Sequence, residues 1–220
     1  QLTTYTWHTV EAKIFIDCSG DSILAELVDA EYMVGREAKS TFGEEFGLPE
    51  ADKKTMGMSL MIQAHETDHK VDFIAPDWAY KFTTDEEMKF KPHECLDKIN
   101  TNFYWIELGG EADSIHDTEK VRDELLKVAY GVWDDMKNHG EHGADNWELD
   151  FIGFLPGKRE SRRYVGDYIM TQQDVETGRQ FPDEVAYGGW QIDNHLPGGF
   201  AMSGKGEGHL QKKRLREPYG

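Results

Sequence analysis

Nine histidines and a scatter of charged clusters in 220 residues offer several places for chemistry. His65-Glu66-Thr67-Asp68-His69 fits H-E-x-x-H. A zinc centre of that type needs both imidazoles one turn apart on a helix, with the glutamate between them. Here apolar extended runs flank the segment and Thr67-Asp68 reads as a turn tip. On a strand the two histidines would stand about 13 Å apart, too far for one metal. The segment therefore reads as a strand end and a turn. His139-x-x-His142 has no second signal beside it.

Three other segments carry possible site chemistry. Gly157-Lys158-Arg159-Glu160-Ser161-Arg162-Arg163 gathers cations in an acidic chain but lacks the spaced glycines of a phosphate loop. Planar guanidinium forks suit an anionic group, and the same residues suit a surface ion-pair network; spacing leaves both open. Asp17-Cys18-Ser19-Gly20-Asp21 closes an apolar run. In doubly wound sheets, backbone N–H groups at such strand ends meet phosphates, although an ordinary β–α turn has the same composition. His195 follows Asp193-Asn194 after an aromatic stretch. It reads either as an acid/base or as a loop histidine with a satisfied hydrogen bond.

These segments need elements to position them. Ala12 to Ile16 is apolar enough to predict a strand buried on both faces, as in a parallel sheet. Ser22 to Ala30 predicts a helix with Ile23, Leu24, Leu27 and Val28 inward, capped by Asp21 or Ser22. Residues 35–57 read as a connection with short helical pieces. Met58 to Ala64 and Val71 to Ile74 read as a β-hairpin, and Asn100 to Leu108 as a strand closed by Gly109-Gly110. The strongest helix opens near Ser114 to Asp117 and closes at Asn138-His139-Gly140. It shows Val121, Leu125, Val128, Ala129, Val132, Trp133 and Met136 on one face. Trp147 to Leu155 predicts a strand, Ile169 to Val175 a short helix, and Glu184 to Asp193 an extended stretch. The mixture is α/β at the start and α+β in the middle.

Composition narrows the function. Asp plus Glu is 42 against 24 Lys plus Arg, a formal charge of −18. Such a surface repels nucleic-acid phosphates and anionic membranes, so neither is an expected partner. No apolar run approaches the about 20 residues of a membrane span. Aromatic content of 12% argues for a packed core rather than disorder. Cys18 and Cys95 make no disulfide framework and read as buried thiols. Neither end resembles a natural terminus, so the chain reads as a fragment of a longer protein.

Taken in order, several segments resemble one family. They are Ile14-Phe-Ile-Asp-Cys-Ser-Gly-Asp21, Ala30-Glu-Tyr-Met-Val-Gly-Arg-Glu-Ala38, Tyr130-Gly-Val-Trp-Asp-Asp135, Leu155-Pro-Gly-Lys-Arg-Glu-Ser-Arg-Arg-Tyr-Val-Gly-Asp-Tyr168, Asp174-Val175 and Trp190-Gln-Ile-Asp-Asn-His195. The family is the FAD-dependent oxidoreductases of the glutathione-reductase-like superfamily, in the bacterial group related to fumarate reductase flavoproteins and sometimes labelled xanthan-lyase-like. The resemblance implies a remnant of a Rossmann-type FAD domain at 1–31, an inserted α+β substrate-side domain at 32–155, and a return segment towards the flavin at 156–220. It implies FAD as cofactor, with Ser19, Gly20, Asp21 and Arg159 beside it. It makes Arg162 a stabiliser of reduced flavin or of an anionic substrate, and His195 the base that takes the proton of a small polar substrate. The family's G-x-G-x-x-G fingerprint, ribose-holding acid and C-terminal flavin segment are absent, so the chain alone is expected to hold FAD poorly. The alternative is a non-catalytic carbohydrate- or partner-binding module with Trp78, Trp105, Trp133, Trp147 and Trp190 as stacking surfaces, Trp133 being assigned to the core.

Overall fold

The computed structural model describes residues 5–82, 87, 106–139, 142–186, 188, 192–202 and 210–212. Its centre is the helix α3, Thr118–Asn138. All seven positions of the apolar stripe from Val121 to Met136 are buried. Trp133 is fully buried and meets Phe73 edge to face at 6.5 Å. Each such side chain withdrawn from water contributes roughly 1.5–3 kcal/mol, which fixes this helix as the organiser of the core.

Earlier in the chain lie α1 (Ile23–Leu27), β1 (Tyr32–Met33), α2 (Lys39–Phe42), β2 (Met58–Leu60), β3 (Ile62–Glu66) and β4 (Ile106–Leu108). After α3 come β5 (Trp147–Ile152), β6 (Arg163–Tyr164), α4 (Gln172–Thr177), β7 (Ile192–Asn194), a short 3-10 turn at Gly199–Met202 and β8 (Leu210–Lys212). The strands form four antiparallel pairs: β1 with β6, β2 with β4, β3 with β5 and β7 with β8. The β2–β4 pair lays Met58, Leu60 and Ile106 against α3.

Several expectations are corrected. Ala12 to Ile16 forms no strand, and Ile14, Phe15 and Ile16 are 79%, 62% and 82% exposed. High strand propensity needs a neighbouring strand to become a sheet, and none of the described residues supplies one. Residues 71–74 form no hairpin; β2 and β3 instead find partners in the distant β4 and β5. Helix α1 buries only Ala25, leaving Ile23, Leu27 and Val28 exposed. Cys18 is exposed, not buried. Among the described residues of the stretch from Glu184, the strand is β7. Residues 100–105, Cys95, Trp190 and Gly140 lie outside the described residues, and with them parts of the strand, thiol, stacking and cap expectations.

Candidate functional site

The site begins at the turn before α1. The Asp17 carboxylate accepts from the Ser19 backbone N–H at 2.8 Å, the Leu24 N–H at 3.0 Å and the Tyr164 hydroxyl at 2.7 Å. The Ile23 N–H donates to Ser19 Oγ at 3.0 Å. Asp17 and Ser19 thus cap the helix, not the expected Asp21 or Ser22. Hydrogen bonds from Ser19 and Tyr164, with the two backbone donors, hold the Asp17 carboxyl well below the usual carboxylate range. Gly20 has φ +79, a conformation that costs a side-chain-bearing residue, and open space where a Cβ would stand.

Asp21 ties this turn to the arginine-rich segment. Its carboxylate accepts from Lys158 Nζ at 2.6 Å and from Ser161 Oγ at 2.7 Å, and its carbonyl from Arg162 Nε at 2.9 Å. Ser22 Oγ returns a bond to the Arg162 carbonyl at 3.0 Å. Burial pushes the Asp21 carboxyl up, but the bonds from Lys158 and Ser161 and the nearby cations outweigh it, and the net direction is down. Arg162 is 8% exposed, pairs with Glu26 and lies over the Tyr32 ring at 5.6 Å. Next to it, Arg163 donates to the Gly35 carbonyl and to Glu37. The β1–β6 pair sets this register, with Met33 opposite Arg163.

Two hollows adjoin this seam. One, about 320 Å³, is lined by Ser161 and Arg162 together with Tyr32, Lys53, Thr55 and His116 among others. The second, about 490 Å³, is lined by Lys158 and Arg159 with Ser59, Phe151, Phe154 and Leu155 among others. The Asp21 carboxylate therefore bonds to one residue from each wall. Arg159 and Arg162, interchangeable by spacing, belong to different hollows.

His195 lies elsewhere. It is 7% exposed, with Nδ1 at 2.8 Å from Glu107 Oε2. Ser59 Oγ donates to the other oxygen of Glu107 at 3.2 Å, and Ser59 lines the second hollow. Glu107 and Ser59 escaped the sequence reading. A carboxylate inside the apolar strand Trp-Ile-Glu-Leu was the available signal, since a buried charge is rarely left without a purpose. His65 lies on the strand β3 and meets Asp150 at 2.8 Å, while His69 lies beyond the strand and meets Asp68. Among the described residues, Trp133 and Trp147 are buried, while Trp78 meets Tyr130 edge to face and stays 51% exposed.

Comparison with family models matches residues 1–219 to the FAD dependent oxidoreductase model. The chain belongs to the FAD-dependent oxidoreductase family. No curated protein and no solved structure gives a match. Membership supports an oxidoreductase that uses FAD and gives the binding-module alternative no support.

The residues of this FAD-dependent oxidoreductase fit part of the cofactor. Lys158 and Arg159 beside Phe151, Phe154 and Leu155 combine apolar surface for a ring system with cations for its electron-rich edge. The first-turn N–H groups of α1 do not suit a diphosphate: Ile23 and Leu24 already donate to Ser19 and Asp17, and the Asp17 charge repels anions.

Proposed function

We propose that the protein oxidises a small polar substrate by passing a hydride to FAD, with the two hollows that adjoin the Asp21 seam together holding flavin and substrate in direct contact. The observation that carries this reading is the double engagement of Asp21, by Lys158 from one hollow and Ser161 from the other. In this reading residues 1–31 lie on the flavin side, without the strand at 12–16 that a Rossmann-type remnant would need. Residues 32–155 form the substrate-side domain and 156–220 the return segment.

FAD, when bound, supplies the hydride acceptor. Arg159 and Lys158, which line the second hollow, would hold its flavin end, with the turn Ser19-Gly20-Asp21 behind them through the Asp21–Lys158 pair. Arg162, anchored on Asp21, Glu26 and Tyr32, keeps a fixed positive charge at the substrate cleft, where it favours an anionic group without reorganising. His195 is the base that would take up the substrate proton; its Nδ1 is held by Glu107, which Ser59 in turn bonds from the second hollow. A carboxylate on Nδ1 leaves Nε2 as the basic nitrogen and strengthens the imidazole as a base.

Arg159 is exposed and makes no hydrogen bond among the described residues, so its replacement leaves the fold intact. The intact protein is expected to purify yellow, with flavin absorbance. Arg159→Gln is expected to weaken FAD binding about tenfold, the loss of one charged contact, with unchanged thermal stability of the apoprotein. A colourless protein that takes up no FAD on titration overturns the reading.

A further inference from the structure

The Arg162 cleft contains two polar groups that the fold itself does not use. Thr55 is 4% exposed, lines the cleft, and its Oγ1 has no hydrogen-bond partner. Buried hydroxyls are normally satisfied, and one left without a partner costs desolvation free energy that nothing in the fold offsets. Two residues earlier, Lys53 is exposed, lines the same cleft, and makes no ion pair among the described residues.

The carboxylates of the cleft, by contrast, are engaged. Glu26 pairs with Arg162, Glu111 with Lys54 at 2.5 Å, and Asp113 with His116 at 2.9 Å. Residues 53–57 belong to no helix, and Asp52 fixes their start by pairing with Arg36 and accepting from the Lys54 N–H at 3.0 Å. The Thr55 N–H donates to the Gly110 carbonyl at 2.8 Å, which fixes the other end.

From the spare cation, the spare hydroxyl and their shared cleft, we infer that this site binds a small hydroxy-monocarboxylate, its carboxylate at Lys53 and its hydroxyl at Thr55. The inference rests on the reading of the cleft as the substrate site and names the substrate class. A neutral polyol would leave Lys53 without a counter-charge. A carboxylate lacking the hydroxyl would leave Thr55 unpaired.

The test is calorimetric titration of the apoprotein with lactate, propanoate, glycerol and inorganic phosphate, so it needs no flavin. Lactate is expected to bind more tightly than the other three. Lys53→Gln, at an exposed position, is expected to weaken lactate and propanoate together by about tenfold. Thr55→Val is expected to weaken lactate about fivefold and leave propanoate within about twofold, while raising the apoprotein's Tm by about 1–3 °C. A structural hydroxyl would give the opposite sign in Tm. Equal binding of glycerol or phosphate, no lactate binding, or a Thr55→Val variant that loses stability overturns the inference. Should Thr55→Val not fold, it counts against the inference, and Lys53→Gln still reports on the carboxylate. Failure here with FAD uptake intact sinks the substrate class alone. Lactate binding without FAD uptake sinks the flavin reading alone.

Discussion

Asp21 accepts two hydrogen bonds from side chains 137 and 140 residues further along the chain. Its side chain is 19% exposed and that of Lys158 26%, so the pair is shielded enough to count. Asp21→Asn leaves the Lys158 ammonium without its counter-charge and is expected to cost about 1–3 kcal/mol, lowering Tm by several degrees in thermal unfolding. An unchanged Tm would mean the seam is held by Arg162 alone. A second residue pair titrates in opposite senses. Backbone and side-chain bonds from His116, with the Ile115 N–H, hold Asp113 at about 2, and that same bond to Asp113 raises His116 above its ordinary value. The depressed Asp113 stabilises the turn above its unfolded pKa near about 3.9 and loses this as pH falls towards about 2. The raised His116 contributes fully below about 6.5 and loses its contribution as pH rises through the folded value. The turn is therefore firmest between these limits. NMR titration is expected to place His116 above about 6.5 in the wild type and back near it in Asp113→Asn; identical curves would dissolve the pair. At this scale residue type was legible and partnership was not. The sequence marks Arg159 and Arg162 as equal candidates, and only folding assigns them to separate walls.

Helix α3 shows what a sequence can specify on its own. Its stripe from Val121 to Met136 repeats at three and four residues, so local periodicity and tertiary burial agree. The run Ile14-Phe15-Ile16 shows the opposite: its strand propensity is real, but a ladder is a two-body property and the partner is not written in the run. Pairings such as β2 with β4, 48 residues apart between Ser59 and Glu107, are set by which apolar faces fit α3, not by the nearest extended neighbour. Gly131 is a further element-scale constraint, where Tyr80 crosses the helix. A Cβ there would stand 2.3 Å from the Tyr80 carbonyl oxygen. Alanine is the better helix former by up to about 1 kcal/mol, yet Gly131→Ala is expected to destabilise by about 1–3 kcal/mol because backbone must move. Chemical denaturation decides it: a stabilised variant would show that the 80–82 strap yields freely.

At the scale of the whole molecule, two segments far apart in the chain meet: the turn at 17–22 and the return segment at 158–164 share five side-chain-mediated bonds. That closure pairs cations of the arginine-rich segment with carboxylates, Lys158 with Asp21 and Arg162 with Glu26, and leaves Arg159 exposed in the second hollow. His195, a fair candidate by residue type, connects to the second hollow by way of Glu107 and Ser59. In the proposed reading the fixed charge of Arg162, in the substrate cleft, also stabilises reduced flavin in the neighbouring hollow. Its most direct test is the two-electron midpoint potential of the flavin in the intact protein, compared between wild type and Arg162→Ala. The expected result is a potential lowered by about 30 mV or more, a tenfold shift in the reduction equilibrium, with Arg162→Lys falling between. Equal potentials in all three proteins would contradict the account.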